Sequence, residues 1–153
     1  MFGWKDNPLI EVTRGSLVES IHYGAFAIVN ADGETIGSGG DAELVAFLRS
    51  SSKPLQALPF VEMGGMERFK VTDQELAVMC ASHSGTDEHV AVVRSLQEKI
   101  GLKEDQLLCG IHEAGDKKTA EAMIRRGEQP TPIRNNCSGK HTGMLGQAVL
   151  QGM

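Results

Sequence analysis

Residues 9–38, LIEVTRGSLVESIHYGAFAIVNADGETIGS, decide the fold class. Four short runs rich in Val and Ile lie within or beside this stretch: Leu9 to Thr13, Leu17 to His22, Ala25 to Asn30 and Glu34 to Ser38. Turn pairs separate them, namely Arg14-Gly15, Tyr23-Gly24 and Asp32-Gly33. Asp-Gly between two strand-like runs is a hairpin signal, because both residues tolerate the positive φ that a tight turn needs. The expectation is an antiparallel meander or two linked hairpins.

Beyond Asp41 the pattern becomes helical. Asp41 can cap a short helix through Leu48. A second helical segment follows Pro54, is interrupted at Pro59 and is stopped by Gly64-Gly65. Thr72 and Glu75 form a capping box ahead of Leu76, Met79 and Cys80. Thr86 can cap a helix with Asp87 and Glu88 in its first turn, an apolar stripe of Val90, Val93, Leu96 and Ile100, and Gly101 at its end. Leu107 to Cys109 reads as a short buried strand. Asp116 to Arg126 is a further amphipathic helix closed by Gly127, and a last helix runs from about Cys137 to Gln151. Strands followed by helices, without βαβ alternation, give an α+β class: an antiparallel sheet from the N-terminal hairpins plus helices.

Composition narrows the function. The 153 residues carry 15 Lys and Arg against 20 Asp and Glu, a net charge of −5, with no basic cluster to serve nucleic acid. At 41% hydrophobic and 23% charged residues the chain is globular. No apolar run approaches the ~18 residues of a membrane span. The first ten residues, MFGWKDNPLI, hold no signal-peptide core. Cys80, Cys109 and Cys137 have no paired spacing, which suggests a reducing, cytoplasmic setting. Gly37, Gly39 and Gly40 follow a strand, but neither GxGxxG spacing nor a Walker lysine accompanies them, which argues against a nucleotide site.

Three stretches carry chemistry. The first is Ser50-x-x-Lys53. A serine hydroxyl is a weak nucleophile until a base takes its proton, and a lysine one helical turn away can be that base. The same pattern also fits a solvated serine-rich cap with a surface lysine. Pro54 biases Lys53 away from helical backbone, which leaves two helix starts open: at Ser51, or at Pro54 with Ser50 and Lys53 in the entry loop. The second stretch is Ala81-Ser82-His83-Ser84-Gly85 between two helices. It is either a cap or a polar binding turn.

The third stretch is Arg134-Asn135-Asn136-Cys137-Ser138-Gly139-Lys140-His141-Thr142-Gly143-Met144. On a helical wheel Cys137, Lys140, His141 and Met144 share one face, which continues into Leu145, Ala148 and Val149. That face is expected to be the core-facing side. Lysine is seldom placed on a buried stripe unless it is paired or functional. Gly139 and Gly143 make sense where backbone approaches a ligand or another strand. Cys137 and His141, four residues apart, could share a metal, or be a buried thiol and a capping imidazole.

RSSSKP at 49–54, CASHSG at 80–85 and NNCSGKHTGML at 135–145 resemble, in order, the motifs of the asparaginase II family, the zinc-containing type related to the rhizobial inducible enzyme. The resemblance runs from about Leu9 to the end of the chain. It implies hydrolysis of L-asparagine to aspartate and ammonia, a fold similar to serine β-lactamases and some glutaminases, and a homodimer. It maps the nucleophile to Ser50 with Lys53 as its base, and the serine of a second serine–lysine pair to Ser82. It assigns zinc to two cysteines and a lysine, of which the first cysteine and the lysine map to Cys137 and Lys140. His141 then becomes a neighbour of the metal site. Arg49 looks like a positioning or electrostatic residue, and Arg49, His83 and His141 are the candidate substrate contacts.

The family's length is more than twice this one. Its second zinc cysteine and the lysine partner of Ser82 have no counterpart here. The expectation is therefore a single domain over 1–153 or the N-terminal portion of a larger one, inactive by itself. The alternatives are a glutaminase or other β-lactamase-like serine amidase, and a non-catalytic truncated or split subunit.

Overall fold

The computed structural model describes residues 7–153, so the reading of the first six residues lies outside it. The chain forms two compact units, one reaching Phe47 and one spanning Leu48–Met153. The class is α+β, as the order of strand-like and helical runs implies.

The first unit is two linked hairpins. Strands β1 (Pro8–Arg14) and β2 (Leu17–Tyr23) pair antiparallel, and β3 (Phe26–Val29) pairs with β4 (Thr35–Gly39). They make two separate two-stranded sheets and no continuous meander. Gly15 supplies the positive φ of the first turn. In the second, the Asn30 side chain accepts the Asp32 and Glu34 N–H groups at 3.0 and 2.9 Å, which closes the loop around Asp32-Gly33. Nearly every strand residue is exposed, including Leu17, Ile28 and Ile36.

The second unit is helical. A 3-10 turn, Arg49–Ser52, leads into α1 (Lys53–Glu62), followed by α2 (Gly65–Phe69), α3 (Asp73–Met79), α4 (Asp87–Ile100), α5 (Lys117–Arg126) and α6 (Ser138–Leu150). Local chemistry sets most boundaries. Thr72 and Glu75 form a reciprocal capping box at α3. Thr86 caps α4 and Asp116 caps α5 through backbone N–H groups, and Gly101 and Gly127 close those helices in left-handed geometry. Ala57, Phe60, Met79, Leu96 and Ile100 form one apolar cluster, and Val78, Val90, Val93, Leu107 and Ile133 a second.

Three expectations are corrected, and the open start of the first helix is decided. Asp41 starts no helix; its carboxylate accepts the Glu43 N–H at 3.1 Å in a turn, and Val45 and Phe47 lie exposed beyond it. Leu107–Cys109 pairs with no strand, although Leu107 is buried. Lys53 is helical, at φ −58 and ψ −40, despite the proline after it. The cost of that conformation is met by starting α1 there, where Pro54 needs no N–H partner.

The last correction concerns α6. Its buried face is Ser138, Gly139, Thr142, Gly143 and Gly146, while Lys140 and His141 are half-buried and Met144 is exposed. The glycines serve helix–helix approach, not a strand. A Cβ on Gly139 would strike the Val78 backbone, and one on Gly143 would meet Met79 Cε at 2.5 Å. The face bearing Cys137, Lys140 and His141 is thereby left beside open space.

Candidate active site

The 3-10 turn before α1 sets up the site. In such a turn residues i and i+3 eclipse one another, so Ser50 and Lys53 fall on one side. Arg49 enters it at φ +50, a left-handed conformation that is uncommon for a side chain of this size. The two following serines are tied to backbone: Ser51 Oγ donates to the Leu48 carbonyl at 2.5 Å and Ser52 Oγ to the Arg49 carbonyl at 2.8 Å. Ser50 is exposed, and its hydroxyl has no hydrogen-bond partner among the described residues. Of three consecutive serines, only the one in the SxxK position keeps a free hydroxyl.

Lys53 is 2% exposed and makes no ion pair among the described residues. Its Nζ donates to the Ala81 carbonyl at 2.9 Å and bonds to Ser82 Oγ at 2.7 Å. The first and second chemical stretches of the sequence thus meet through one amine. Arg49, Ser50, Lys53, Gln56, Cys137 and Lys140 line a single cleft of about 280 Å³. The third stretch therefore faces the first. Arg49 brings a guanidinium to this lining, Lys53 and Lys140 bring amines, and no lining side chain is acidic, which suits a ligand bearing a carboxylate.

Ser82 opens on a second hollow of about 350 Å³ between α3 and α4, whose wall also includes Gln74, Ser84, Glu88 and His89. A third hollow, about 200 Å³ over α5, is lined mostly by Ala114, Ala120, Met123, Ile124 and Pro130 and touches none of the candidate residues.

His83 sits behind the cleft. It is buried, and both ring nitrogens are engaged: Nδ1 accepts the Gly85 N–H at 3.1 Å and Nε2 lies 2.8 Å from Ser138 Oγ. The Gly85 bond leaves Nδ1 without a proton, so Nε2–H donates to Ser138, whose own hydroxyl donates to the Ile133 carbonyl at 2.9 Å. Burial, with His89, Lys53 and His112 nearby, pulls the His83 pKa down to about 4. Neither nitrogen is free for a substrate, so its place here is that of a strut under the Ser82 turn. His141 is half-buried, and its pKa is lowered by burial and by the Lys140 and Lys53 charges.

Cys137 stands at the entry to α6, where its N–H donates to Asn135 Oδ1 at 2.8 Å. Asn135 in turn donates to the carbonyls of Cys109 and Gly110 at 2.8 and 3.2 Å. Burial pushes the Cys109 thiol pKa up, with Cys137 adding to the shift and Lys140 opposing it. Zinc asks for three or four protein donors. Among the described residues no group of three or more His, Cys, Asp or Glu could hold a metal ion. Cys137 and Lys140 offer one sulfur and one nitrogen on one cleft wall, two donors in all, and by themselves they do not fit the ion.

Gln56 is not singled out in the sequence, and Arg134 heads the third stretch without a role of its own. Gln56 lies one helical turn beyond Lys53, a spacing that marks it once the cleft is known. Arg134 is buried, with Nη1 donating to the Gly85 carbonyl at 2.9 Å and Nη2 pairing with Glu128 at 2.6 Å and Asp87 at 2.7 Å. Those partners are distant or weakly patterned in sequence, and no local signal announces them.

No helix among the described residues is long and apolar enough to cross a membrane. No curated protein matches the chain. The family described as L-asparaginase II, in contrast, matches residues 10–153. That span takes in the SxxK turn, the Ser82 turn and the start of α6 together, and the chain belongs to the L-asparaginase II family.

Proposed function

We propose that this chain carries the nucleophile half of an L-asparagine amidohydrolase working by acyl transfer. The observation that supports it best is the free Ser50 hydroxyl beside an amine, Lys53, that is buried without a carboxylate partner. Lys53, in its neutral form, takes the Ser50 proton as Oγ attacks the side-chain amide carbon of asparagine. The tetrahedral adduct collapses with cleavage of the C–N bond, and the proton held by Lys53 leaves with ammonia. Water then cleaves the Ser50 ester, releasing aspartate and restoring the hydroxyl. Ser82, bonded to Lys53, extends the proton path to a further base that the family resemblance implies.

Arg49 and Lys140 supply positive charge where the substrate's α-carboxylate would lie, and His141 is close enough to Lys140 to feel its charge. Cys137 and Lys140 are two of the donors that a zinc ion would use, and no step of this scheme passes through the metal. The three free thiols favour a reducing, cytoplasmic setting. A homodimer, and membership of 1–153 in a larger asparaginase domain, rest on the resemblance. A polypeptide of residues 1–153 alone is expected to release no measurable ammonia, so every turnover assay below is made on the larger asparaginase that the resemblance implies, called the full chain.

A glutaminase-type serine amidase is the second reading, because Gln56 and the basic side chains of Arg49 and Lys140 in the cleft would also suit glutamine. Assaying the full chain with asparagine, glutamine and a chromogenic lactam tests the proposal. Ammonia release from asparagine well above that from glutamine is expected. Turnover of the lactam or of glutamine with none of asparagine would overturn it.

A further inference from the structure

The hydrolytic scheme gives Arg134 no part, yet this residue is 6% exposed directly behind the turn that carries Ser82. Burying a guanidinium costs solvation, and its two carboxylate partners, on Asp87 and Glu128, are 62% and 36% exposed and offset that cost only in part. Its third partner is not a charge but the Gly85 carbonyl, at 2.9 Å.

Gly85 is the far end of the Ser82 turn. It sits at φ +67, and a Cβ there would lie 2.7 Å from the Arg134 carbonyl oxygen, so only glycine lets the turn pass this close to the Arg134 backbone. The Gly85 N–H is spent on His83 Nδ1, and the His83 N–H donates to the Asn136 carbonyl at 3.2 Å. A continuous set of hydrogen bonds therefore runs from the guanidinium through Gly85 and His83 to the residue next to Ser82. A lysine could not reproduce it, because only the planar fork of arginine meets a carbonyl and two carboxylates in fixed directions.

We propose that Arg134 is a positioning residue for Ser82: by fixing Gly85 it sets the turn that presents the Ser82 hydroxyl to the Lys53 amine. The inference rests on the Ser50–Lys53–Ser82 reading of the site for its catalytic meaning. Its geometric content is tested apart from turnover.

The experiment follows the Lys53 Nζ signal by nitrogen NMR in the full chain, with Ser82→Ala as the reference for a lost Lys53–Ser82 bond. Arg134→Gln and Arg134→Lys should both move the Lys53 signal toward its Ser82→Ala position. Asp87→Asn combined with Glu128→Gln, which loosens the guanidinium from the surface side, should move it part-way. In turnover of asparagine, Arg134→Lys should lower kcat by about 10- to 100-fold, the scale of a small misplacement, with little change in KM.

A folded Arg134→Gln variant whose Lys53 signal stays at the wild-type position overturns the proposal. If Arg134→Gln does not fold, an unmoved signal in the Asp87→Asn, Glu128→Gln pair does so instead. Full turnover in Ser50→Ala would sink the hydrolytic reading and leave the Lys53 measurement standing.

Discussion

Lys53 Nζ meets Ser82 Oγ at 2.7 Å across 29 positions of sequence. The bond joins the first turn of α1 to the connection between α3 and α4, and the Lys53 amine also lines the cleft onto which Ser50 opens. The buried end of that lysine is held by the Ala81 carbonyl, which leaves the hydroxyls as its reactive neighbours.

Replacing Lys53 by methionine keeps the stem and removes the amine. We expect kcat for asparagine to fall by about 100- to 10,000-fold, the usual contribution of a positioned base, with secondary structure retained by circular dichroism. A drop of less than about tenfold would remove Lys53 from the base role.

His83 makes stability depend on pH. Its folded pKa, about 4, lies below its ordinary value of 6.5, so the unfolded chain binds more protons between those values. Its contribution is fully present above about pH 6.5 and declines as pH falls toward 4, by on the order of 3 kcal/mol in all. His141, shifted the same way, adds to the trend. Denaturant midpoints at pH 7 and pH 4.5 should differ more in the wild type than in His83→Gln. Equal differences in the two proteins would contradict this account of His83.

Gly139 and Gly143 differ in what stands opposite them. The Gly139 site faces the Val78 backbone, which cannot step aside, whereas Gly143 faces the mobile end of Met79. Gly139→Ala should lose about 1–3 kcal/mol of stability despite the better helix propensity of alanine. Gly143→Ala should lose distinctly less. Thermal unfolding of the two variants, compared side by side, checks the order, and the reverse order would show that α6 packs on α3 differently.

Zinc binding to a polypeptide of residues 1–153 should be weak. Two donors on one cleft wall fall far short of the ~10–16 kcal/mol typical of a complete structural site. Calorimetric titration should give low affinity that Cys137→Ser abolishes. Tight, stoichiometric binding would mean that a further group, such as Cys109, completes the coordination.

Local signals carried most of the fold. The caps at Thr72, Thr86 and Asp116, and the stops at Gly101 and Gly127, work through bonds within a few residues, so they can be read without knowing the tertiary structure. Asp41 misled because a carboxylate that caps a helix also closes a turn, and Val45 and Phe47 have no apolar surface to pack on. The wheel of α6 misled because hydrophobicity alone ranked its faces. Close approach of α3 selects small residues, so the buried side is the one with Gly139, Thr142 and Gly143.

The site followed the same division. Ser50, Lys53, Ser82, Cys137 and Lys140 were visible as motifs. Their convergence depended on long-range contacts, and Arg134, although it heads the third stretch, gave no sign of its partners Gly85, Asp87 and Glu128.

The central claim is that Ser50 is the nucleophile, and the most direct measurement is asparagine turnover by the full chain carrying Ser50→Ala. Removing an exposed hydroxyl with no partner in the fold should leave thermal stability unchanged within about 0.5 kcal/mol. Turnover should fall by several orders of magnitude, with the single-hydroxyl variants Ser51→Ala and Ser52→Ala remaining near wild type. A folded Ser50→Ala protein that still releases ammonia at the wild-type rate would contradict the account.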